Sequence, residues 1–219
     1  LSIRRQRQMC IRDRYIRKLY YGTEYLFDYV KNNINNQLIK FIFYINSVKY
    51  ETINVGFYMP IIRVYNGGKF KVGKNFTIIS KSNTGWYSKS KIIVTDSGNL
   101  TIGDNSGMNS TLIFCSNSIT IGNNVKIGGG TRIYDTNFHS TNAAYRANPI
   151  LDGKNAITAP IVIGDNVFIG TNCIISKGIT IGSNSIIAAG SVVVKSIPEN
   201  EIWGGNPAKF IKKISEKAL

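Results

Sequence analysis

The feature that most restricts the fold of this chain is a six-residue repeat near its C-terminal end. From residue 161 the sequence is IVIGDN VFIGTN CIISKG ITIGSN SIIAAG SVVVKS. An isoleucine or valine recurs every six residues, at Ile163, Ile169, Ile175, Ile181, Ile187 and Val193, and a second apolar or small residue stands two places ahead of each. This pattern predicts a short strand with two inward side chains, followed by a corner, six times over.

The corners carry their own signal, a Gly-x-Asn triplet. Such triplets occupy 73–75, 103–105, 122–124, 164–166, 170–172 and 182–184. Glycine and asparagine tolerate left-handed backbone angles, so their spacing predicts tight turns at regular intervals. A period of six is too short for helical repeats, and a generic all-β domain does not explain the register. We therefore predict a parallel β-helix in which each strand is buried by the coils on either side.

The segments that flank the repeat predict its two ends. Residues 15–60 have loose helical spacing of apolar residues in their first part, which predicts an N-terminal cap that is helical or irregular. We expect the prism over 61–203, with irregular or protruding coils over 79–99, where the period fits poorly. Residues 204–219 contain a glycine pair, a proline and an amphipathic pattern, which predict a turn and a short C-terminal helix.

The repeat is interrupted between Ile133 and Ile161. The intervening residues 134–160 predict a loop extruded from the prism, and long loops in compact domains are usually functional. The loop contains YDTNFHS and, within it, His139, the only histidine of the chain. A lone histidine is most often an exposed residue with no function. Its position at this break in the repeat favours catalysis.

The coils, the loop and the YDTNFHS segment together resemble the left-handed hexapeptide-repeat family. Within that family they resemble the acyltransferase branch, which includes serine, maltose, galactoside, xenobiotic and polysaccharide O-acetyltransferases. The resemblance covers about 64–210, with Phe168 standing where relatives often have tryptophan. It implies an all-β-dominated, left-handed parallel β-helix with three hexapeptides per turn. It also implies acetyl-CoA as co-substrate, His139 as general base, and a homotrimer with active sites in clefts between neighbours.

One imidazole can carry out the implied chemistry. A sugar hydroxyl is a poor nucleophile at neutral pH, and imidazole can take its proton as the oxygen attacks the thioester directly. No covalent enzyme intermediate is required, and no serine or cysteine nucleophile motif is present.

Three further loop residues are candidates for binding the acceptor. In an extended segment Asp135 and Asn137 share a side with His139, so either can contact the acceptor, although Asp135 can equally serve the turn. Asp135 would lie ~13 Å from His139 in such a segment, which leaves Asn137 or a backbone carbonyl to hold the ring. Arg146 is a candidate contact for an acidic substrate.

Residues in the later coils are candidates for binding coenzyme A. Small residues would leave space for the pantetheine arm, and lysines would meet the nucleotide phosphates. The candidates are Gly170, Thr171, Ala188, Ala189, Lys195 and Lys209. The alternative is that the small residues serve only the packing between coils and that the lysines are exposed to solvent without a ligand.

Charge and cysteine content predict the surroundings of the protein. The net charge is +15, of which residues 1–14 supply +4; these residues resemble a translated sequencing adapter, and we expect a non-native leader there. The other cations are scattered, so we expect no nucleic-acid partner, whereas weak association with an anionic membrane surface stays open. Three cysteines without paired spacing predict reduced thiols in a cytoplasmic protein.

Two other functional classes share this fold. The carbonic-anhydrase-like branch binds zinc through three histidines, which a chain with one histidine cannot supply, so no catalytic metal is expected. A scaffold or assembly subunit would keep the coils without the histidine loop. Among enzymes we expect O-acetylation of a sugar in surface polysaccharide or its precursor. The alternatives are N-acylation of an amino sugar, or acetylation of serine or a xenobiotic.

Overall fold

Three sheets form the sides of a prism. The computed structural model describes residues 23, 26, 29–80 and 88–214. Sheet A consists of β1 (Lys49–Tyr50), β4 (Lys69–Val72), β7 (Asn99–Ile102), β10 (Ser118–Ile121), β13 (Ile161–Ile163) and β16 (Thr180–Ile181). Sheet B consists of β2 (Ile53–Phe57), β5 (Phe76–Ser80), β8 (Gly107–Asn109), β11 (Lys126–Ile127), β14 (Phe168–Ile169), β17 (Ile186–Ile187), β19 (Glu201–Gly204) and β20 (Lys209–Lys213). Sheet C consists of β3 (Ile61–Val64), β6 (Lys91–Val94), β9 (Leu112–Cys115), β12 (Arg132–Tyr134), β15 (Ile174–Ile175) and β18 (Val192–Val193).

The chain visits the three sheets in turn, which makes a parallel coil. Ile163 pairs with Ile181, Ile169 pairs with Ile187 and Ile175 pairs with Val193, so one turn takes three hexapeptides. The fold is the left-handed parallel β-helix that the repeat and the resemblance predicted. The prism begins at β1, earlier than the expected boundary at residue 61.

The predicted core positions are buried. The six residues of the main repeat are at most 1% exposed, and the residues two places ahead are buried as well: Ile161, Val167, Cys173, Ile179, Ser185 and Ser191. Each inward side chain is stacked between its counterparts in the adjacent coils. The repeat therefore specified both the strands and their inner face.

The Gly-x-Asn corners adopt the predicted backbone. Left-handed φ angles occur at the asparagine of every triplet: Asn75, Asn105, Asn124, Asn166, Asn172 and Asn184. At the edge between sheets A and B the asparagine amides also form a ladder, in which the Asn166 side chain donates to Asn184 Oδ1 at 3.0 Å. The triplets therefore fix the turns and link successive coils.

The N-terminal end is capped by a helix, α1, over 29–45. Ile39 and Phe43 are fully buried, and the Phe43 ring packs edge-on against Phe70 at 5.8 Å between centroids. The Asn36 side chain accepts a hydrogen bond from the Val55 amide at 2.6 Å, which satisfies a strand donor of the first coil.

No helix in the described part of the chain is long and apolar enough to cross a membrane. The predicted leader at 1–14 lies outside the described residues.

Two sequence predictions about irregular segments are corrected. Lys91–Val94 forms β6 in register between β3 and β9, so the second half of 79–99 continues the coil. The other half includes residues 81–87, which lie outside the described residues. The predicted C-terminal helix is wrong for Lys209–Lys213, which forms β20 antiparallel to β19. This strand covers an edge of the last coil, which an amphipathic helix would leave with unpaired backbone groups.

Candidate active site

The extruded loop leaves the prism on a short antiparallel stem. It follows β12 and returns to β13 at the edge between sheets C and A. Thr136 bridges to Thr158, and the Asn137 amide donates to the Ile157 carbonyl at 3.0 Å. Two short helices that the sequence did not predict lie within the loop: α2 (Ala143–Arg146) and α3 (Pro149–Lys154).

The two halves of the loop meet at His139. The His139 Nδ1 lies 2.6 Å from Asp152 Oδ2, and the other carboxylate oxygen of Asp152 accepts from the Ser140 amide at 2.7 Å. The His139 side chain is 68% exposed, whereas that of Asp152 is 13% exposed. A carboxylate on Nδ1 makes this nitrogen the donor, so Nε2 is left as the basic nitrogen. The pair is therefore arranged like a general base and its orienting carboxylate.

Asp152 is held in its ionised form. The hydrogen bond from His139 and, next, that from the Ser140 amide lower the pKa of this carboxyl. The Asn148 side chain begins α3 by accepting from the Ile150 and Leu151 amides, which fixes the position of Asp152 in the first turn. Asp152 is not among the site residues predicted from the sequence. A usable signal existed, because Asp135 and Asp152 are the only acidic residues in 134–160.

Phe138 anchors the backbone just before the histidine. It has a positive φ of 63°, which is uncommon for a bulky residue. Its ring packs edge-on against Phe114 at 4.8 Å and Tyr134 at 5.2 Å between centroids, both on the outer face of sheet C. This aromatic contact fixes the direction in which the chain presents His139.

Asp135 serves a turn, which was one of the two roles that the sequence left open for it. Its side chain is fully buried. The two carboxylate oxygens accept from the Ser116 and Asn117 amides, each at 2.7 Å. Asp135 therefore closes the corner of the preceding coil beneath the loop, and acceptor binding by this residue stays a prediction.

The other two candidate acceptor residues remain exposed. Asn137 lies in the stem, and its side chain is not brought against His139 by any contact described. Arg146 donates from Nη1 to the Ser140 carbonyl at 2.8 Å, so part of its guanidinium holds the loop beside the histidine. Acceptor binding by either residue stays a prediction.

Four of the candidate coenzyme A residues form one column at the edge between sheets B and C. Gly170 and Thr171 lie directly beneath Ala188 and Ala189, and a Cβ added to Gly170 would lie 2.6 Å from the Ala189 nitrogen. The absence of a side chain at Gly170 is therefore required by the stacking of coils. The lysines are not brought together: Lys195 follows β18 at the edge between sheets C and A, and Lys209 starts β20 at the edge between sheets B and C.

Within one chain, His139 and the small-residue column occupy different edges. The column lies at the B–C edge and the loop lies at the C–A edge. A side of about six residues in extended conformation places the two edges on the order of 20 Å apart. A ligand that touches both must reach across sheet C, or the two edges must come from different copies of the chain.

The described cysteines are unsuited to nucleophilic catalysis. Cys115 and Cys173 are free and fully buried. Burial, with the nearby Asp135 carboxylate, raises the pKa of Cys115 to about 12, and burial also raises that of Cys173. Among the described residues no group of three His, Cys, Asp or Glu side chains is placed to hold a metal ion.

Known proteins with similar sequences include O-acetyltransferases. The sequence matches the family described as hexapeptide repeat of succinyl-transferase over 99–135 and 160–195. It is 31% identical over 158 residues to the Escherichia coli K12 protein named "Putative lipopolysaccharide biosynthesis O-acetyl transferase WbbJ", covering 70% of this chain and 76% of that one. It is 37% identical to the galactoside O-acetyltransferase of the same organism, over 54% of this chain and 56% of that one.

A solved structure extends the similarity to three dimensions. The maltose O-acetyltransferase from Clostridium difficile 630 is 31% identical, with a TM-score of 0.50, over 72% of this chain and 70% of that one. The chain spans between 39% and 58% of the length of four other curated relatives, among them galactoside O-acetyltransferase.

Proposed function

The chain belongs to the hexapeptide-repeat acyltransferase family, and on that premise we propose that it is an acetyl-CoA-dependent O-acetyltransferase acting on a sugar hydroxyl. The acceptor would be a sugar of surface polysaccharide or of its precursor. The observation that carries the proposal is the exposed His139 ring, held through Nδ1 by Asp152 at 2.6 Å. Two relatives whose names specify lipopolysaccharide and galactoside O-acetylation support the choice of acceptor.

In the proposed reaction His139 removes one proton from the attacking hydroxyl. Nε2 accepts it as the oxygen forms a bond to the acetyl carbon, and Asp152 stabilises the imidazolium that results. The carbon–sulfur bond breaks as the carbonyl reforms, and the protonated ring returns the proton to the departing thiolate. The products are an acetyl ester and coenzyme A, and no acetylated side chain is formed.

The geometry favours an active site shared between copies of the chain. His139 lies on the C–A edge, whereas Gly170 and Ala189 lie on the B–C edge. In a closed homotrimer, the C–A edge of one copy would face the B–C edge of the next, which brings base and coenzyme A residues into one cleft. The pantetheine arm would lie against Thr171 and Ala189, and Lys195 or Lys209 would meet the nucleotide phosphates. The proposed site of action is the cytoplasm, and membrane association stays a prediction.

An acceptor-panel assay tests this proposal. The purified chain is incubated with acetyl-CoA and one of a series of sugars, nucleotide sugars, amino sugars, serine or chloramphenicol, and acetylated products are identified by mass. We expect ester formation on a sugar or nucleotide sugar. Transfer only to an amine, to serine or to chloramphenicol would show that the acceptor differs from the one proposed. A chain that binds no coenzyme A would contradict the proposed activity as a whole.

Light scattering tests the proposed homotrimer, for which the mass in solution should be three times 24.3 kDa.

A further inference from the structure

The outer faces of sheets A and C differ in polarity. Successive side chains of a strand point to opposite faces, so the residues between the buried ones form the outer face. On sheet A these residues are mostly lysine, asparagine, serine and threonine, such as Lys71, Thr101 and Thr120. On sheet C most of them are apolar, including Ile61, Ile93, Leu112, Phe114, Ile174 and Val192. Contiguous apolar patches on a protein surface mark interaction sites, so the outer face of sheet C is expected to be covered.

The extruded loop covers only the part of this face that lies near the C–A edge. There the Phe138 ring packs against Phe114 and Tyr134. Leu112 and Ile174 lie nearer the B–C edge, each paired in register with Arg132 between them, and both stay partly exposed. A second surface is therefore needed to bury the rest of the face.

Opposite charges flank the two edges of sheet C. Lys89, Lys91 and Arg132 line one depression of about 170 Å³ at the B–C edge. Asp96 follows β6 at the C–A edge, where only its Oδ1 is occupied, by the Ser97 amide at 3.1 Å. Within the described ranges none of these four charged side chains forms an ion pair. Each edge therefore carries the charge that would complement the other edge.

The closed ring described above brings these two edges together. Sheet C is the sheet that is bounded by both the C–A edge and the B–C edge, so in such a ring its outer face points towards the three-fold axis. Lys91 begins β6 and Asp96 follows the same strand. When the copies stand side by side with parallel prism axes, Asp96 of one copy therefore lies at the height of Lys89 and Lys91 of the next.

We propose that the outer face of sheet C is the interface between copies of this chain, with Asp96 of each copy paired to Lys89 and Lys91 of the next. The inference rests on the proposed function, whose shared cleft requires such a ring. An anionic membrane is the other surface that suits cations beside apolar side chains. It would repel Asp96, whereas a second copy offers this carboxylate a cation, so a second copy fits the face better.

A charge placed in the apolar face tests the interface. Leu112→Glu would bury three carboxylates close to the three-fold axis, so light scattering should give 24.3 kDa where the unaltered protein gives three times this mass. Thr120→Glu, on the exposed face of sheet A, is the matched control and should keep the mass of the unaltered protein. Circular dichroism should show both variants folded. Acetyl transfer should be lost with the trimer in Leu112→Glu and retained in Thr120→Glu.

Charge reversal with rescue assigns the ion pairs. Asp96→Lys sets like charges against each other at every interface of the ring, which should raise the dissociation constant of the trimer at least about tenfold. Added salt should reduce this effect by screening the repulsion. Combining Asp96→Lys with Lys89→Glu and Lys91→Glu restores opposite charges and should recover most of the lost affinity. A dilution series followed by light scattering measures all three proteins.

The contrary outcomes separate this inference from the proposed function. A folded Leu112→Glu protein that stays trimeric would overturn the interface and leave the homotrimer intact. If Leu112→Glu does not fold, the charge variants decide, and an unchanged dissociation constant in Asp96→Lys or a lack of recovery in the combined variant would overturn the ion pairs.

A monomeric unaltered protein would overturn both the interface and the shared cleft, and the acceptor-panel assay would still decide separately whether the chain transfers acetyl groups. Vesicles of phosphatidylcholine and phosphatidylserine distinguish the membrane as the occupant. Sedimentation of the unaltered monomer with these vesicles, lost in Leu112→Glu, would assign the face to a membrane and overturn the interface between copies.

Discussion

The Nδ1 atom of His139 and the Oδ2 atom of Asp152 are 2.6 Å apart, although the two residues stand thirteen positions apart in the chain. The contact joins the first turn of α3 to the start of the loop, and the Ser140 amide on the other carboxylate oxygen completes it. The loop is therefore closed by the same carboxylate that orients the ring. Loop structure and catalytic geometry are coupled through one side chain.

Replacing Asp152 with Asn should lower turnover without unfolding the protein. An amide keeps an oxygen for the Ser140 amide, but its nitrogen cannot accept the proton of Nδ1, so the ring loses its orientation and its counter-charge. We expect kcat to fall about 10- to 100-fold with little change in KM for acetyl-CoA, a smaller loss than removal of the base itself. Steady-state kinetics measures this split. A rate equal to that of the unaltered protein would show that Asp152 has no role in orienting the base.

Replacing Asp135 with Ala should destabilise the fold. Two partly buried backbone amides, those of Ser116 and Asn117, would lose a charged acceptor. Charge-assisted hydrogen bonds contribute about 1.5–3 kcal/mol each, so the free energy of unfolding should fall by about 3 kcal/mol or more. Denaturant unfolding measures the change, and exposed Asn137→Ala is the control, with an effect within about 0.5 kcal/mol. A stable Asp135→Ala protein with impaired acceptor binding would restore the acceptor role expected from the sequence.

Glycine 170 should be required by packing between coils. A Cβ there would lie 2.6 Å from the Ala189 nitrogen and 2.8 Å from its Cα, whereas a Cβ at Gly153 in α3 would meet nothing within 4 Å. Gly170→Ala should therefore lower the free energy of unfolding by about 1–3 kcal/mol, and Gly153→Ala should leave it unchanged or raise it by up to about 1 kcal/mol. Thermal unfolding compares the two. Unchanged stability in Gly170→Ala, with weaker coenzyme A binding, would assign this glycine to the ligand alone.

The buried thiols should resist alkylation. An ordinary cysteine has a pKa near 8.5 and is about half thiolate at that pH. Because the pKa of Cys115 is raised to about 12, its reactive thiolate becomes abundant only as pH rises far above this range, and burial blocks access as well. In a Cys10→Ser background, iodoacetamide at pH 8.5 should modify neither Cys115 nor Cys173 and should leave activity intact. Mass spectrometry after alkylation tests this, and rapid inactivation at either thiol would contradict it.

Regular features of the fold were predictable from the sequence, and features that depend on long-range contacts were not. The buried face follows from a strict six-residue period at positions such as Ile169 and Ile187, and the corners follow from the backbone tolerance of asparagine. Asp152 was missed because the extended segment assumed for YDTNFHS carries no information about which distant loop residue folds back. The C-terminal strand was missed because an amphipathic pattern does not reveal that the last coil leaves an edge to be paired.

Replacement of His139 by Ala is the decisive test of its role as the base for acetyl transfer. Coenzyme A release and acetylated sugar are measured together, for the unaltered protein and for His139→Ala, with circular dichroism as the check on folding. We expect acceptor-dependent release in the unaltered protein and a fall in turnover of about two to four orders of magnitude in the variant, with the fold retained. An unchanged rate in a folded His139→Ala protein would show that His139 is not the base.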